Sequence, residues 1–201
     1  MLVRLLEARS FRNLDHAEAE LADGITLIHG PNGAGKTNLL EALCFALTAS
    51  SWRTRADREL IGFGAPLARA ELTVIDGAET RRFLASATRA DGRSHRLNGN
   101  PVPDDVTALR PAVAIFSPDR LALIKGPPTE RRRLPLMLLD DVMSELDPER
   151  RLLLVELLRG EGQAVITATE ASQVPDDAER AEIEINDGRM TLPIGARARA
   201  A

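Results

Sequence analysis

The chain of 201 residues has a single cysteine, no tyrosine, one tryptophan, five phenylalanines and only two lysines. One cysteine, Cys44, can form neither an internal disulfide nor a cysteine-based zinc site, and this scarcity fits a reducing, cytoplasmic setting. Six aromatic side chains are a thin supply for stacking on bases, so any contact with nucleic acid is expected at its backbone. No apolar run approaches the roughly 20 residues that a membrane helix needs. The first twenty residues hold no long apolar stretch with a small-residue cleavage site, so no secretory leader is expected. The hydrophobic fraction of 44% and charged fraction of 28% are ordinary for a folded domain, and the length suggests one domain.

What the sequence does have is arginine. Lys36 and Lys125 are the only lysines among 26 basic residues. The net charge of -4 argues against a general polycation, but the charge is unevenly divided. Residues 53–133 hold fifteen basic and ten acidic side chains, whereas residues 134–201 hold seven basic and fourteen acidic. Within the basic segment and its flank, Arg53, Arg55, Arg58, Arg81, Arg82, Arg93 and Arg96 are candidates to face the phosphates of DNA. A merely solvated arginine-rich surface is the competing reading.

Hydrophobic periodicity predicts strands at 2–9 and 14–22, joined around Ser10-Phe11-Arg12-Asn13, and a short buried strand at 25–29. A glycine-rich turn at 30–35 then leads into a mostly buried helix from Lys36 to about Ala49. Residues 68–98 read as an antiparallel meander, with Asp76-Gly77, Asp91-Gly92 and Asn98-Gly99-Asn100 as turn signals. Apolar strands follow at 112–116, 134–139 and 163–168. A helix is expected from Pro148, with Asp147 as its N-cap, and a terminal hairpin around Asp187-Gly188. Strand–helix–strand units flanking a meander predict an α/β fold with a parallel core sheet.

Gly30-Pro31-Asn32-Gly33-Ala34-Gly35-Lys36-Thr37 matches the phosphate-loop pattern G-x-x-x-x-G-K-[ST] without a mismatch. Such a loop curls so that successive N–H groups converge on phosphate oxygens at the positive end of the following helix. Lys36 is expected to bridge the β- and γ-phosphates and Thr37 to ligate Mg²⁺. Asn38 completes the candidate nucleotide-binding set. A second constellation lies downstream, where the apolar run Leu136-Met137-Leu138-Leu139 empties into Asp140-Asp141. Asp140 is placed to hold Mg²⁺ as a Walker-B acid, and Asp141 to orient or deprotonate an attacking water. A small-molecule kinase would combine the same loop with an arginine lid, for which Arg131-Arg132-Arg133 is the only candidate. Ser144-Glu145-Leu146-Asp147, three residues past the acids, belongs to a different group.

These residues resemble the RecF family of bacterial recombination and repair ATPases, whose heads are related to those of ABC transporters and SMC proteins. The resemblance rests on Phe11-Arg12-Asn13-Leu14, the GPNGAGKTNLLEAL loop and helix, Ser51-Trp52-Arg53-Thr54, Asp57-Arg58-Glu59-Leu60-Ile61 and Leu97-Asn98-Gly99. It continues through Phe116-Ser117-Pro118-Asp119, Leu123-Ile124-Lys125-Gly126-Pro127, Arg131-Arg132-Arg133 and LLDDVMSELDPERR at 138–151. It implies a P-loop ABC-type ATPase head: a mixed core sheet with helices plus an antiparallel β meander. Residues 1–133 would form the N-terminal lobe and 134–201 the remainder of one composite domain. It further implies ATP at residues 30–38, Mg²⁺ at Thr37 and Asp140, and Asp141 and Lys36 as the catalytic pair. A D-loop would span 144–147, the Q-loop region Ser117-Pro118-Asp119, and the switch region 164–169, where threonine replaces the usual histidine. The implied partners are DNA, RecR and RecO, and the implied role is assisting RecA at gapped DNA, in replication and in the SOS response.

One family feature is missing. The chain runs from Arg133 straight to Leu134-Pro135, where the family carries a long helical lobe ending in an LSxGQ-type signature, and no S-x-G triplet occurs anywhere. In the family, that signature contacts the γ-phosphate of the partner subunit's nucleotide. The resemblance therefore implies nucleotide binding with weak ATPase activity at most and little ATP-driven dimerisation. The alternative is a nucleotide-binding module without DNA activity. His16, His29 and His95 lack ligand-spaced partners, and Trp52 and Cys44 are expected in the core rather than at the nucleotide.

Overall fold

In the computed structural model, the described residues are 1–102, 109–117, 120–124, 136–159, 162–175 and 180–191. The arginine cluster 131–133, the Lys125–Pro127 segment, Pro118-Asp119 and the Ala/Arg-rich tail lie outside them.

Two sheets face each other across one helix. The first is wholly antiparallel and runs β2-β1-β4-β5-β6-β7. Its strands are β1 (Leu2–Phe11), β2 (Leu14–Glu20), β4 (Leu67–Asp76), β5 (Glu79–Thr88), β6 (Gly92–Leu97) and β7 (Asn100–Pro101). The second runs β13-β12-β3-β11-β10-β8-β9, from β3 (Ile25–His29), β8 (Val113–Ser117), β9 (Arg120–Ile124), β10 (Leu136–Leu139), β11 (Gln163–Ala168), β12 (Arg180–Asn186) and β13 (Arg189–Thr191). Its five central strands are parallel, and the hairpin partners β13 and β9 make antiparallel edges. The core sheet is thus mixed, as the family resemblance implied. The meander expected at 68–98 is larger than its own segment, because β1 pairs with β4 and brings the first hairpin into the same sheet.

Helix α1 (Lys36–Thr48) is buried over most of its circumference, from Leu39 through Leu47, because it packs on β1, β4 and β5 on one side and touches β11 on the other. The buried face of the antiparallel sheet includes seven alanines, Ala8, Ala17, Ala19, Ala68, Ala70, Ala85 and Ala87, beside larger residues such as Leu6, Phe11, Leu72 and Phe83. The small alanine side chains let a helix lie close to a sheet. On the far face of the parallel sheet, helix α2 (Pro148–Arg159) inserts Val155 and Leu158 against Met137, Leu139 and Ile166. Covered on both faces, β10 and β11 are buried at every position, which explains their unbroken apolar sequences. Asp147 caps α2 as expected, its carboxylate accepting from Arg150 N–H at 2.9 Å. Between the sheets, the buried Gln163 amide clips both backbone groups of Val3, at the register shift in β1.

Candidate nucleotide and metal site

The phosphate loop lies between the C-terminal end of β3 and the start of α1. No side chain caps that helix; Gly35, with φ of 111°, fills the N-cap position. Its first N–H groups are therefore left for an anion, where the helix dipole also favours negative charge. Gly30 is required for a different reason: a Cβ there would stand 2.0 Å from the carbonyl oxygen of Ile185 in β12.

The loop's carbonyls are held by donors around it. The Lys36 ammonium, buried with its stem, donates to Gly30 O at 2.7 Å and Pro31 O at 3.0 Å. Asn13, in the β1–β2 turn, donates from Nδ2 to Gly33 O at 3.1 Å. Gly188, in the β12–β13 turn, donates its N–H to Ala34 O at 2.8 Å. Burial pushes the Lys36 pKa below its ordinary value, and the Asp141 and Asp140 carboxylates pull the other way. The ammonium thus sits in the field of the strand-end acids.

Those acids follow β10. Asp140 Oδ1 accepts from the Thr37 hydroxyl at 2.8 Å and from the Thr167 hydroxyl at 3.0 Å. Thr167, fully buried on β11, also accepts from Asp141 N–H at 2.9 Å. Asp141 has φ of 52°, a left-handed conformation uncommon outside glycine. Its Oδ1 is buried and has no hydrogen-bond partner, a costly state for a carboxylate oxygen. A hydroxyl and two carboxylates make the hard-oxygen donor set that Mg²⁺ prefers, so the residues present fit such an ion.

The sequence reading and the geometry meet at Lys36, Thr37, Asp140 and Asp141, brought together across 103 residues. Asn38 is directed elsewhere: its side chain bonds Asn13 and Arg53. Of the seven candidate DNA-facing arginines, three are engaged in ion pairs within the molecule, and Arg96 donates to Gly99 O at 3.4 Å. Arg53 pairs with the buried Glu41, Arg81 with Asp76 and Glu79, and Arg93 with Asp57. Arg55, Arg58, Arg82 and Arg96 are exposed. The histidines go to separate partners, His16 to Glu7, His29 to Glu182 and His95 to Ala46 O. Trp52 packs against the core, and burial pushes the Cys44 thiol up to about 11, which makes it inert. Sequence reasoning gave no role to Asn13 or Gly188, and placed Thr167 only within the switch region at 164–169. The motif around Asn13 and the Asp-Gly turn were both visible, but their approach to the loop was not.

Comparison with known proteins places this geometry. Residues 5–97 match a family model described as an AAA domain. The DNA replication and repair protein RecF of Desulforudis audaxviator (strain MP104C) is 37% identical over 133 residues, covering 66% of this chain and 37% of that protein. RecF of Roseiflexus castenholzii (strain DSM 13941 / HLO8) is 34% identical over 165 residues, covering 73% and 41%. The chain thus spans about two fifths of the length of these curated relatives. Among solved structures, RecF–ATP of the RecFOR pathway superposes with a TM-score of 0.80 at 15% identity, covering 96% of this chain and 97% of that one. The SMC head domain from Thermotoga maritima gives 0.66 at 17% identity, covering 96% and 98%.

Proposed function

We propose, from the premise that the chain is a RecF-type ATPase head, that it binds Mg·ATP at residues 30–37 and serves a DNA-binding recombinational repair protein of that type. The observation that carries this reading is the 2.8 Å contact between Thr37 Oγ1 and Asp140 Oδ1, which unites the phosphate loop with the strand-end acid.

Each residue then has a task. The Lys36 ammonium exchanges the carbonyls of Gly30 and Pro31 for β- and γ-phosphate oxygens, and loop amides complete the cradle. Thr37 and Asp140 would hold Mg²⁺, which offsets phosphate charge when bound. Thr167 keeps the Asp140 carboxylate aimed at that position. Asp141, beside it and lacking a partner for Oδ1, orients or deprotonates the attacking water. Asn38 supports the loop from its flank.

Turnover is weak in this head, because the charge-stabilising signature contact in trans is missing from the sequence. In the protein it serves, the role is assisting RecA loading at gapped DNA, in replication and in the SOS response, with RecR and RecO as partners. Residues 1–133 and 134–201 act as one composite head in the cytoplasm. Arg55, Arg58, Arg82 and Arg96 supply backbone contacts to DNA that weaken steeply with salt. A nucleotide-binding module without DNA activity is the second reading, favoured by the three arginines engaged in intramolecular pairs.

Calorimetry with Mg·ATP on the parent and on Lys36→Ala tests the nucleotide site: binding by the parent alone supports it, and no heat from either removes it. Retention on duplex DNA across salt, with and without ATP, separates the two readings. Nucleotide-strengthened, salt-sensitive retention supports the first, and its absence the second.

A further inference from the structure

We infer that Asn13 is a positioning residue that keeps the phosphate loop open for its ligand, and that its own orientation is set by a relay running from the buried Glu41 through Arg53 and Asn38. The inference rests on the reading of residues 30–37 as a phosphate site and assigns no ligand contact to Asn13 itself.

The relay is directional at every step. Glu41 is fully buried on α1 and accepts from Arg12, Arg53 and Ser51. Arg53 Nη1 donates to Glu41 at 3.0 Å and also to Asn38 Oδ1 at 2.6 Å. A guanidinium can only donate, so Asn38 must turn its oxygen toward Arg53 and its amide nitrogen away. That nitrogen donates to Asn13 Oδ1 at 2.7 Å. Asn13 is left with its own Nδ2 facing Gly33 O, to which it donates at 3.1 Å. Neither asparagine can flip without breaking a bond.

The consequence for the loop follows from the planar trans peptide, whose C=O and N–H point in opposite directions. Drawing Gly33 O toward Asn13 turns the N–H of Ala34 to the opposite side, where it meets Pro31 O at 3.2 Å. The Gly188 N–H does the same to the next peptide by holding Ala34 O. The three chain segments are packed without slack: a Cβ on Gly35 would meet Asn13 Oδ1 at 2.9 Å, and one on Gly188 would meet Asn13 O at 2.3 Å. The loop is thus held by its outward carbonyls, which spares the incoming phosphate the entropy of ordering it.

The test uses the full chain with Asn13→Ala, Asn38→Asp and the double variant. Asp at 38 still accepts from Arg53 but cannot donate to Asn13, so it breaks the relay without emptying the Glu41 site. Each single variant should weaken Mg·ATP and Mg·ADP about tenfold, the worth of roughly one hydrogen bond. The double variant should be no weaker than either single one, because both cut the same path. Hydrogen exchange of the 30–36 amides should quicken in all three with thermal midpoints near the parent's. Additive losses would instead make Asn38 an independent ligand contact and overturn the relay, as would parent-like affinity or unchanged exchange. Should the parent bind no nucleotide while exchange still quickens, the relay stands as a brace and the nucleotide reading falls.

Discussion

The two halves of the candidate site are finished to different degrees. On the phosphate-loop side, the carbonyls of Gly30, Pro31, Gly33 and Ala34 are each bonded, by Lys36, Asn13 or Gly188. At the end of β10 the opposite holds: Asp140 takes two hydroxyls on a single oxygen, while Asp141 buries an oxygen with no donor at all. The loop is already shaped to receive an anion, and its Gly33 and Ala34 carbonyls are held by the neutral donors of Asn13 and Gly188. The acids are held in tension, with two carboxylates and one ammonium in close company. A cation is what that second half is electrostatically short of, and only the first half gains from rigidity alone.

The contrast can be broken from either side. The largest effect is expected from Gly30→Ala. With its Cβ driven 2.0 Å from Ile185 O, the change should destabilise the fold by about 3 kcal/mol or more, read as a drop in thermal midpoint of many degrees. Next comes Lys36→Ala, which should lower Mg·ATP affinity by about 100-fold by removing a charge-assisted contact, measured by calorimetry, with the fold retained. Thr167→Val leaves the loop intact but frees Asp140 and strands the Asp141 N–H. Mg²⁺-dependent nucleotide affinity should fall about tenfold, roughly 1–2 kcal/mol, while Mg²⁺-free binding stays near the parent's. Asp141→Asn should sharpen the comparison in the opposite direction. Relieving a buried, partnerless carboxylate oxygen should raise the unliganded thermal midpoint by a few degrees, on the order of 1 kcal/mol, while any residual turnover disappears. If the midpoint falls instead, Asp141 is not under the tension described.

The smallest effect lies away from the site. Burial lowers the His95 pKa below its usual 6.5, opposed by its bond to Ala46 O and aided by Arg110. Below 6.5 the unfolded chain takes up a proton that the folded chain refuses, so stability should decline as pH falls from 6.5 toward the lower folded value. His95→Gln should flatten that part of a midpoint-against-pH curve.

The sequence announced whatever is local or strongly patterned. The phosphate loop is a contiguous signature, β10 and β11 betray double coverage by unbroken apolar runs, and Asp147-Pro148 marks a helix start that its cap bond confirms. Turn pairs such as Asp187-Gly188 placed the hairpins. What escaped depends on contacts between distant segments. Arg12 meets Glu41 across 29 positions, and Thr167 meets Asp140 across 27. The pairing of β1 with β4 obeys no local rule, because two amphipathic strands advertise a sheet without naming their neighbours. The arginines show the same limit. Composition counted Arg53, Arg81 and Arg93 as surface charge, and only three-dimensional packing shows them bonded to Glu41, Asp76, Glu79 and Asp57.

The alanines beneath α1 matter beyond their own contacts. Ala8, Ala68, Ala70, Ala85 and Ala87 are all fully enclosed and leave room for the helix beside the Phe11–Phe45 ring contact, and Lys36 and Thr37 ride on its first turn. Enlarging a side chain on that sheet would lift the helix and carry the ammonium and hydroxyl away from β10, so positions remote from any phosphate still govern where the chemistry is aimed.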